Sequence, residues 1–465
     1  MTLGRHAEPG AAPGQDRRAD RLSPLVPERL AGPAPDMISA DEAIVRVTAA
    51  FRPLEEHQRV PLLEALGRVL VEDIPADIDV PPFDNSAMDG YAVRAADVAG
   101  AGESRPVTLQ LAGEVAAGHV APRPLEAGEA YRILTGAPLP RGADAVVPYE
   151  YTDGRGFGGW SGAAGAALAG AEREVRIFRP VESGENVRQA GEDQRRGEVV
   201  LRAGTVVRPA EVGVLASLGR TEAWVYRRPR VAVLSTGDEV VPVDQPLQGG
   251  QIRNANGWAL LALIRHYGGQ PIDLGIAPDR PQAVRDALLE GRRRGADLLL
   301  TSGGVSMGDY DVVKAVLQQD GEVSFWSIDV RPGKPLAFGH FQGVPLIGLP
   351  GNPVSSMVTF ELLARPALLR LAGHTRLRKI ELLARALHPI TNDSGRENFM
   401  RGVAERQEGP DGEVEWVVRL TGGQGSAILT SMARANALVR VPKTRPRVER
   451  GESVRIMLLD WPPLN

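Results

Sequence analysis

The spacing of apolar positions changes several times along the chain. Up to about residue 36, Ala, Gly, Pro, Arg and Asp mix without an apolar period, as in a solvated tail, and ordered sequence begins at Ile38-Ser39. Ser39 stands three residues before Glu42, the capping-box spacing, which predicts a helix through Ala43, Ile44 and Val47. From about Pro81 to Arg179, short apolar runs such as VTLQLAGEV and YRILTGAPLP are separated by Gly and Pro and predict a β-rich unit. Within it, GRGFGGWSGAAGAALAGA over 154–171 is low in complexity and reads as a flexible insertion in a loop. Residues 180–228 read as a return to the first unit, with a strand at Val199–Leu201 and a helix from Pro209 to Leu218.

The most regular pattern runs from Arg230 to Gly373. VAVLST, PIDLGIA, ADLLLTSGG and VSFWSI predict strands; NGWALLALIRHYG, PQAVRDALLEGRRRG, DYDVVKAVLQQ and PVSSMVTFELLARPALLRLAG predict helices. Strand and helix alternating in this way imply a parallel sheet covered on both faces, with any ligand at the carboxyl ends of the strands. After about Lys379 the alternation of ELLARALHPI, EVEWVVRL, NALVRVP and ESVRIMLL predicts a small β-barrel or sandwich. The division expected is a tail over 1–36 and a discontinuous first domain over 37–80 and 180–228. A β-rich second domain follows over 81–179, an α/β third domain over 229–376 and a C-terminal β domain over 377–465.

Composition narrows the chemistry. The chain has 465 residues, 54 Lys and Arg against 58 Asp and Glu, and a formal charge of -4, which argues against a broad polyanion-binding surface. No Cys is present, so disulfides, zinc–thiolate sites and thiol nucleophiles are ruled out. Aromatics at 5% are too sparse for stacked nucleic-acid readout. No apolar run approaches the roughly 18 residues of a membrane span, and the amino-terminal segment lacks the apolar stretch of a secretory signal, so the expectation is a cytoplasmic protein.

Three loops of the α/β region carry groups suited to an anionic, metal-bridged ligand. Ser235-Thr236-Gly237-Asp238-Glu239 sets two carboxylates at a strand end, where Mg²⁺ finds oxygen ligands beside phosphates. Thr301-Ser302-Gly303-Gly304-Val305-Ser306-Met307-Gly308-Asp309-Tyr310-Asp311 pairs glycines with a helix start, so backbone can approach an oxyanion closely. Val330-Arg331-Pro332-Gly333-Lys334-Pro335 braces two cations with prolines, and in Leu349-Pro350-Gly351-Asn352-Pro353-Val354-Ser355-Ser356 the cap and Pro place both serines in a first helical turn. Each loop alone also reads as an ordinary polar turn or capped helix. The crowded segment Pro81-Pro82-Phe83-Asp84-Asn85-Ser86-Ala87-Met88-Asp89-Gly90-Tyr91-Ala92-Val93 fits neither the helix nor the strand period and reads as a site-building or a structural loop.

Other signals carry less. Gly154, Gly156 and Gly159 match GxGxxG with Glu174 about twenty residues on, but low-complexity sequence follows, without the second strand a dinucleotide fold requires. No GxxxxGK[ST] occurs, and His57, His119, His266, His340, His374 and His388 are scattered without metal-ligand spacing.

In this order, PPFDNSAMDGYAV, RILTGAPLPRGADAVV, STGDE, TSGGVSMGDYD, RPGKP and LPGNPVSS resemble the molybdopterin molybdenumtransferase family, the MoeA-like proteins and the gephyrin E domain. The resemblance covers about 38–461. The 154–171 insertion and the tail have no counterpart in the family pattern, and Arg331 stands where a Lys is common. The resemblance implies a multidomain α/β plus β fold, with a central three-layer α/β/α molybdopterin-binding domain, a β-rich second domain and a C-terminal barrel-like domain. It implies a homodimer whose cleft lies between the α/β domain of one subunit and the β-rich domain of the other. Adenylylated molybdopterin and molybdate would be the substrates, Mg²⁺ the cofactor, and AMP and molybdenum cofactor the products.

Carried over motif by motif, the resemblance makes Glu239 and Asp311 the Mg²⁺ and phosphate carboxylates, with Asp238 a substrate-binding residue. Ser302, Gly303, Gly304 and Ser306 become the phosphate or pterin cradle. Asp84 and Asp89 would come from the other subunit, and they and Asp311 would be the catalytic carboxylates. Arg331, Lys334, Ser355, Arg396 in SGRENF and Ser426 in GGQGSAIL become the molybdate pocket. Basic and hydroxyl donors suit a tetrahedral oxyanion, and a chain without thiolates leaves the sulfur ligands to the pterin. A molybdopterin adenylyltransferase shares the TSGGxS loop but is normally little more than that one domain; a gephyrin-like scaffold would need a receptor ligand that nothing in the chain identifies. A molybdopterin adenylyltransferase and molybdoenzymes are the protein partners such a role implies.

Overall fold

The computed structural model describes residues 37–154, 174–304, 312–408 and 412–459. Contacts divide the chain into two compact units, one made of the described parts of Met1–Gln58, Gly67–Val69 and Val225–Asn465, the other of Arg59–Leu66 and Leu70–Trp224.

In the first unit, the strands Gln270–Ala277, Arg230–Thr236, Leu298–Ser302, Val344–Leu349, Pro335–Phe341 and Gly321–Ser327 form a six-stranded sheet in that order. Residues alternate between its faces. Val231, Val233, Leu298 and Leu300 pack with helix Ala255–His266 and the 353–371 helical run, whereas Ala232, Leu234 and Leu299 pack with helices Pro281–Arg293 and Val312–Asp320. Each fully buried Leu in these layers contributes about 1.5–3 kcal/mol. Helix Ala40–Ala49 adds Ala40, Ala43 and Val47 to the first face; Ser39 Oγ accepts from Glu42 N at 3.2 Å, as the capping spacing predicts.

The sheet is mixed, which corrects the all-parallel expectation. Pro335–Phe341 runs antiparallel to both of its neighbours, joined to Val344–Leu349 by the two-residue turn Gln342-Gly343, with φ of 45° and 81°. Positive φ at both turn residues is the hairpin geometry that matches strand twist. This reversal serves the site, because the start of an antiparallel strand lies at the carboxyl ends of its parallel neighbours.

The 353–371 run passes from α-helix (Pro353–Thr359) through a π turn (Phe360–Ala364) to α-helix (Arg365–Leu371). Pro366 supplies the reason: it lacks an N–H, and its ring would press on a carbonyl one turn back in regular α geometry.

Beyond it, Glu397–Glu408, Val414–Leu420, Glu381–Ala386, Ser453–Leu458 and Ala437–Val441 close into a five-stranded barrel through pairing of the first with the last. The twelve-residue Glu397–Glu408 strand is absent from the sequence reading, which took its start only as a binding motif. Val330–Arg331 adds to it in parallel, Val330 opposite Glu397 and Arg331 opposite Asn398.

The second unit carries a five-stranded sheet ordered Ala145–Pro148, Gly90–Val93, Glu129–Ile133, Val107–Val115, Glu174–Ile177. The segment that fitted no period is partly strand: Asn85–Ser86 pairs with Val187–Arg188, and Gly90–Val93 lies inside the sheet. Ile74–Pro75 pairs with Val199–Leu201, and helix Pro209–Ser217 follows. Among the described residues no helix is long and apolar enough to cross a membrane.

Candidate functional site

Register brings the three loops together. Ser235 lies opposite Ser302, and Ser302 opposite Leu349, so the chain leaves all three strands at one edge, into 237–239, 303–304 and 350–352. Ala337 lies opposite Gly348, which places Lys334, three residues earlier on the antiparallel strand, at that same edge. Pairing of Val330–Arg331 with Glu397–Asn398 sets Arg331 next to the turn that carries Arg396.

The result is a cleft of about 730 Å³ within the first unit. It is lined by Glu239, Ser302, Gly303, Gly304, Arg331, Lys334, Ser355, Arg396 and Ser426 among others. Nine of the residues singled out from sequence therefore meet in one place. Asp238 does not face this cleft. It lines an adjoining cavity of about 680 Å³ with Trp258 and Asp273, and its Oδ1 accepts from Asp279 N at 3.0 Å. Asp84 and Asp89 belong to the second unit and are exposed. One oxygen of each braces a loop: Asp84 Oδ1 accepts from Ala190 N at 2.7 Å, and Asp89 Oδ1 from Thr135 N at 2.7 Å and Thr135 Oγ1 at 2.8 Å. Ser306 and Asp311 lie outside the described residues, as does most of the 154–171 insertion.

Local structure explains how the loops hold their shape. Gly303 and Gly304 have φ of 95° and 68°, and a Cβ on Gly304 would fall 2.1 Å from Val313 Cγ2. Only glycine serves there. The Gly303 amide is already committed to the Leu349 carbonyl at 3.0 Å, so it ties two of the loops together. Asn254, the cap of helix Ala255–His266, accepts from Gly257 N at 2.9 Å and from Ser235 Oγ at 2.8 Å. Asn256 Nδ2 donates to Ser302 Oγ at 2.9 Å and to the Gly351 carbonyl at 2.7 Å. Pro353 occupies the first helical turn as expected, while the Asn352 side chain makes no capping bond.

At the cationic end, the turn before Arg396 is held by Asn392, whose Nδ2 donates to the Arg396 carbonyl at 2.9 Å and whose Oδ1 accepts from Ser394 Oγ at 2.6 Å. Arg331 pairs with Asp393 at 3.0 Å, both side chains being well exposed. The Ser426 carbonyl accepts from Val354 N at 2.9 Å, which docks the 422–426 loop on the helix that carries Ser355. Ser355 is 5% exposed.

Charge is divided along the lining. Arg253, Arg331, Lys334 and Arg396 share the lining with Glu239 and Asp279. Such a cleft suits a ligand that carries several negative charges and shares a cation with carboxylates. Among the described residues no group of three or more His, Asp or Glu could hold a metal by itself. Mg²⁺ asks for less, commonly one or two carboxylates completed by substrate phosphates and water, and Glu239 and Asp279 supply such oxygens.

The sequence reading missed Asn254, Asn256 and Gln424. Asn254 carried a legible signal as a capping residue before an apolar helix. The other two did not, because their roles depend on which loops the sheet and barrel bring near them.

Comparison with known proteins agrees over most of the chain. Residues 38–219 match the family described as MoeA N-terminal region (domain I and II), 232–370 the one described as probable molybdopterin binding domain, and 384–459 MoeA C-terminal region (domain IV). A molybdopterin molybdenumtransferase of Haemophilus influenzae is 36% identical over 421 residues, which are 90% of this chain and 98% of that protein. Molybdopterin molybdenumtransferase 2 of Mycobacterium tuberculosis is 37% identical, with 87% and 99% of the two chains covered. The crystal structure of the molybdopterin biosynthesis MoeA protein from Pyrococcus horikoshii OT3 superimposes with a TM-score of 0.75 at 31% identity, covering 91% of this chain and all of that one.

Proposed function

The chain belongs to the MoeA family of molybdopterin molybdenumtransferases, and on that premise we propose that it inserts molybdenum from molybdate into adenylylated molybdopterin and releases AMP. The chain is an enzyme, and its family role is molybdenum insertion in cofactor biosynthesis. One observation carries the finer reading: strand register delivers the glycine loop, the Glu239 loop, the Arg331–Lys334 loop and the Ser355 helix start to a single cleft.

In this reading the Ser302–Gly304 loop positions the phosphates of the nucleotide–pterin ligand, and Glu239 with Asp311 would hold Mg²⁺ beside them, with Asp279 a further carboxylate of the same lining. Mg²⁺ bound there supplies neutralisation of charge on the phosphate oxygens. Asp84 or Asp89 of the partner subunit orients the water that attacks phosphorus; the phosphoanhydride bond breaks, leaving AMP and the molybdopterin phosphate. Arg331, Lys334 and Arg396 with Ser355 and Ser426 grip the tetrahedral molybdate oxygens and hold them beside the dithiolene, whose two thiols bond molybdenum in place of one oxo group; that oxygen leaves as water with the two thiol protons, and the oxidation state of molybdenum is unchanged. The active form is a homodimer.

Incubating the purified protein with adenylylated molybdopterin, molybdate and Mg²⁺ should yield AMP and molybdenum cofactor together. Conversion of ATP and molybdopterin to the adenylate, with no insertion, would assign the preceding reaction instead. Asp311→Asn should reduce adenylate cleavage far more than pterin binding; equal loss of both would reject the division of labour.

A further inference from the structure

Behind the cationic end of the cleft lies a guanidinium that no sequence motif marks. Arg401 is 1% exposed, one of the largest fully buried side chains of the chain. Among the described residues it has no carboxylate within ion-pair distance. Its Nε donates to Ser431 Oγ at 2.9 Å, and one terminal nitrogen to the Gly425 carbonyl at 3.0 Å and more distantly to the Gly423 carbonyl at 3.5 Å. The backbone of the same residue grips the same loop: Arg401 N donates to Gln424 Oε1 at 2.8 Å, and Gln424 Nε2 donates to the Arg401 carbonyl at 3.1 Å. Gln424 and Ser426 line the cleft.

A buried cation without a counter-ion is costly, and an apolar side chain of similar volume would serve packing better. Four of the residue's hydrogen bonds involve one loop, and that loop docks through the Ser426 carbonyl on Val354. We infer that Arg401 is a positioning residue for the oxyanion end of the cleft: it fixes the Gly422–Ser426 loop and places an uncompensated positive charge behind the anion site. Burial first, and the neighbouring Arg331 charge second, pull its pKa down to about 10, so it stays protonated at neutral pH. A fixed charge in a poorly solvated setting acts on a bound anion more strongly than an exposed one.

The inference rests on the assignment of molybdate to this end, and the experiment separates the two. Molybdate alone is titrated into the full-length protein and into Arg401→Gln, Arg401→Lys, Ser431→Ala and Lys334→Ala, with binding of adenylylated molybdopterin measured in parallel. Arg401→Gln should weaken molybdate about tenfold and Arg401→Lys, which keeps the charge and loses the fork, about threefold. Ser431→Ala removes one anchor without touching the cleft and should weaken molybdate about twofold, which keeps the test informative if Arg401→Gln does not fold. Pterin binding should stay within about twofold throughout. If Lys334→Ala abolishes molybdate binding while the Arg401 and Ser431 variants match wild type, Arg401 has no such role. If none of the variants alters molybdate binding, the assignment of this end fails with it. Parallel loss of molybdate and pterin binding in Arg401→Lys would also overturn the inference, because a general structural defect would then suffice.

Discussion

Asn256 spans two loops of the cleft with one amide nitrogen, 2.9 Å from Ser302 Oγ and 2.7 Å from the Gly351 carbonyl. These loops are 46 and 95 residues away in sequence, so the side chain couples segments that register has merely brought close. Removing it should cost about 1–2 kcal/mol of stability, the range for two hydrogen bonds of which one is part-buried and one exposed. Asn256→Ala should also raise KM for adenylylated molybdopterin several-fold with a smaller change in kcat. Steady-state kinetics beside a urea titration checks both.

Arg331 is held by Asp393 in an exposed ion pair, a kind of contact that contributes little to folding. The pair does, however, compete with any oxyanion for the guanidinium. Asp393→Asn should tighten molybdate binding by about two- to fivefold at low ionic strength, with the gain vanishing at high salt and stability changing by less than about 0.5 kcal/mol. Isothermal titration at two salt concentrations reads the effect.

Lys379 and Glu361 form an ion pair 3.1 Å apart, with side chains 1% and 0% exposed, and Tyr267 bridges the two. Burial pushes the Glu361 carboxyl up, against the pull of Lys379. Lys379→Met strands a buried carboxyl and should destabilise the protein by about 3–5 kcal/mol. Adding Glu361→Leu should recover most of that loss, and chemical denaturation of the single and double variants compares them.

Glu211 accepts from the backbone N–H of Arg208 at 2.9 Å and pairs with the Arg208 guanidinium at the start of helix Pro209–Ser217. The Arg208 side-chain contact is the main reason its carboxyl falls to about 2. A carboxyl depressed in the folded state stabilises above its unfolded value, near 4.3, and loses that contribution as pH falls toward 2. Because Arg208 is largely exposed, the contribution is about 1 kcal/mol. Wild type and Glu211→Gln should therefore differ in melting temperature at pH 7 and converge in acid; a difference constant with pH would contradict the assignment.

Much of the α/β region was legible because VAVLST, PIDLGIA and LLLTS are short apolar runs ending in Gly or polar residues, with amphipathic helices between. Pro335–Phe341 is not legible as a strand, because the cationic RPGKP motif runs into its first residue and the Gln342-Gly343 turn carries none of the Asn-Gly or Asp-Gly chemistry that marks a hairpin. Glu397–Glu408 lacks alternation because Asn398–Gly402 is buried as an unbroken run. The glycine and cation loops could be recognised from residue type alone. Asn256 and Arg401 could not, since an asparagine or arginine gains its role from partners that only the folded register supplies.

We propose that the cationic end of the cleft holds molybdate while the glycine loop holds the nucleotide–pterin ligand. The most direct measurement is the molybdate dependence of cofactor formation by wild type and Lys334→Ala, with AMP release and pterin affinity followed in the same reactions. The molybdate concentration for half-maximal cofactor formation should rise about tenfold or more in the variant, with pterin affinity within about twofold of wild type. An unchanged molybdate requirement, or an equal loss of pterin affinity, would contradict the account.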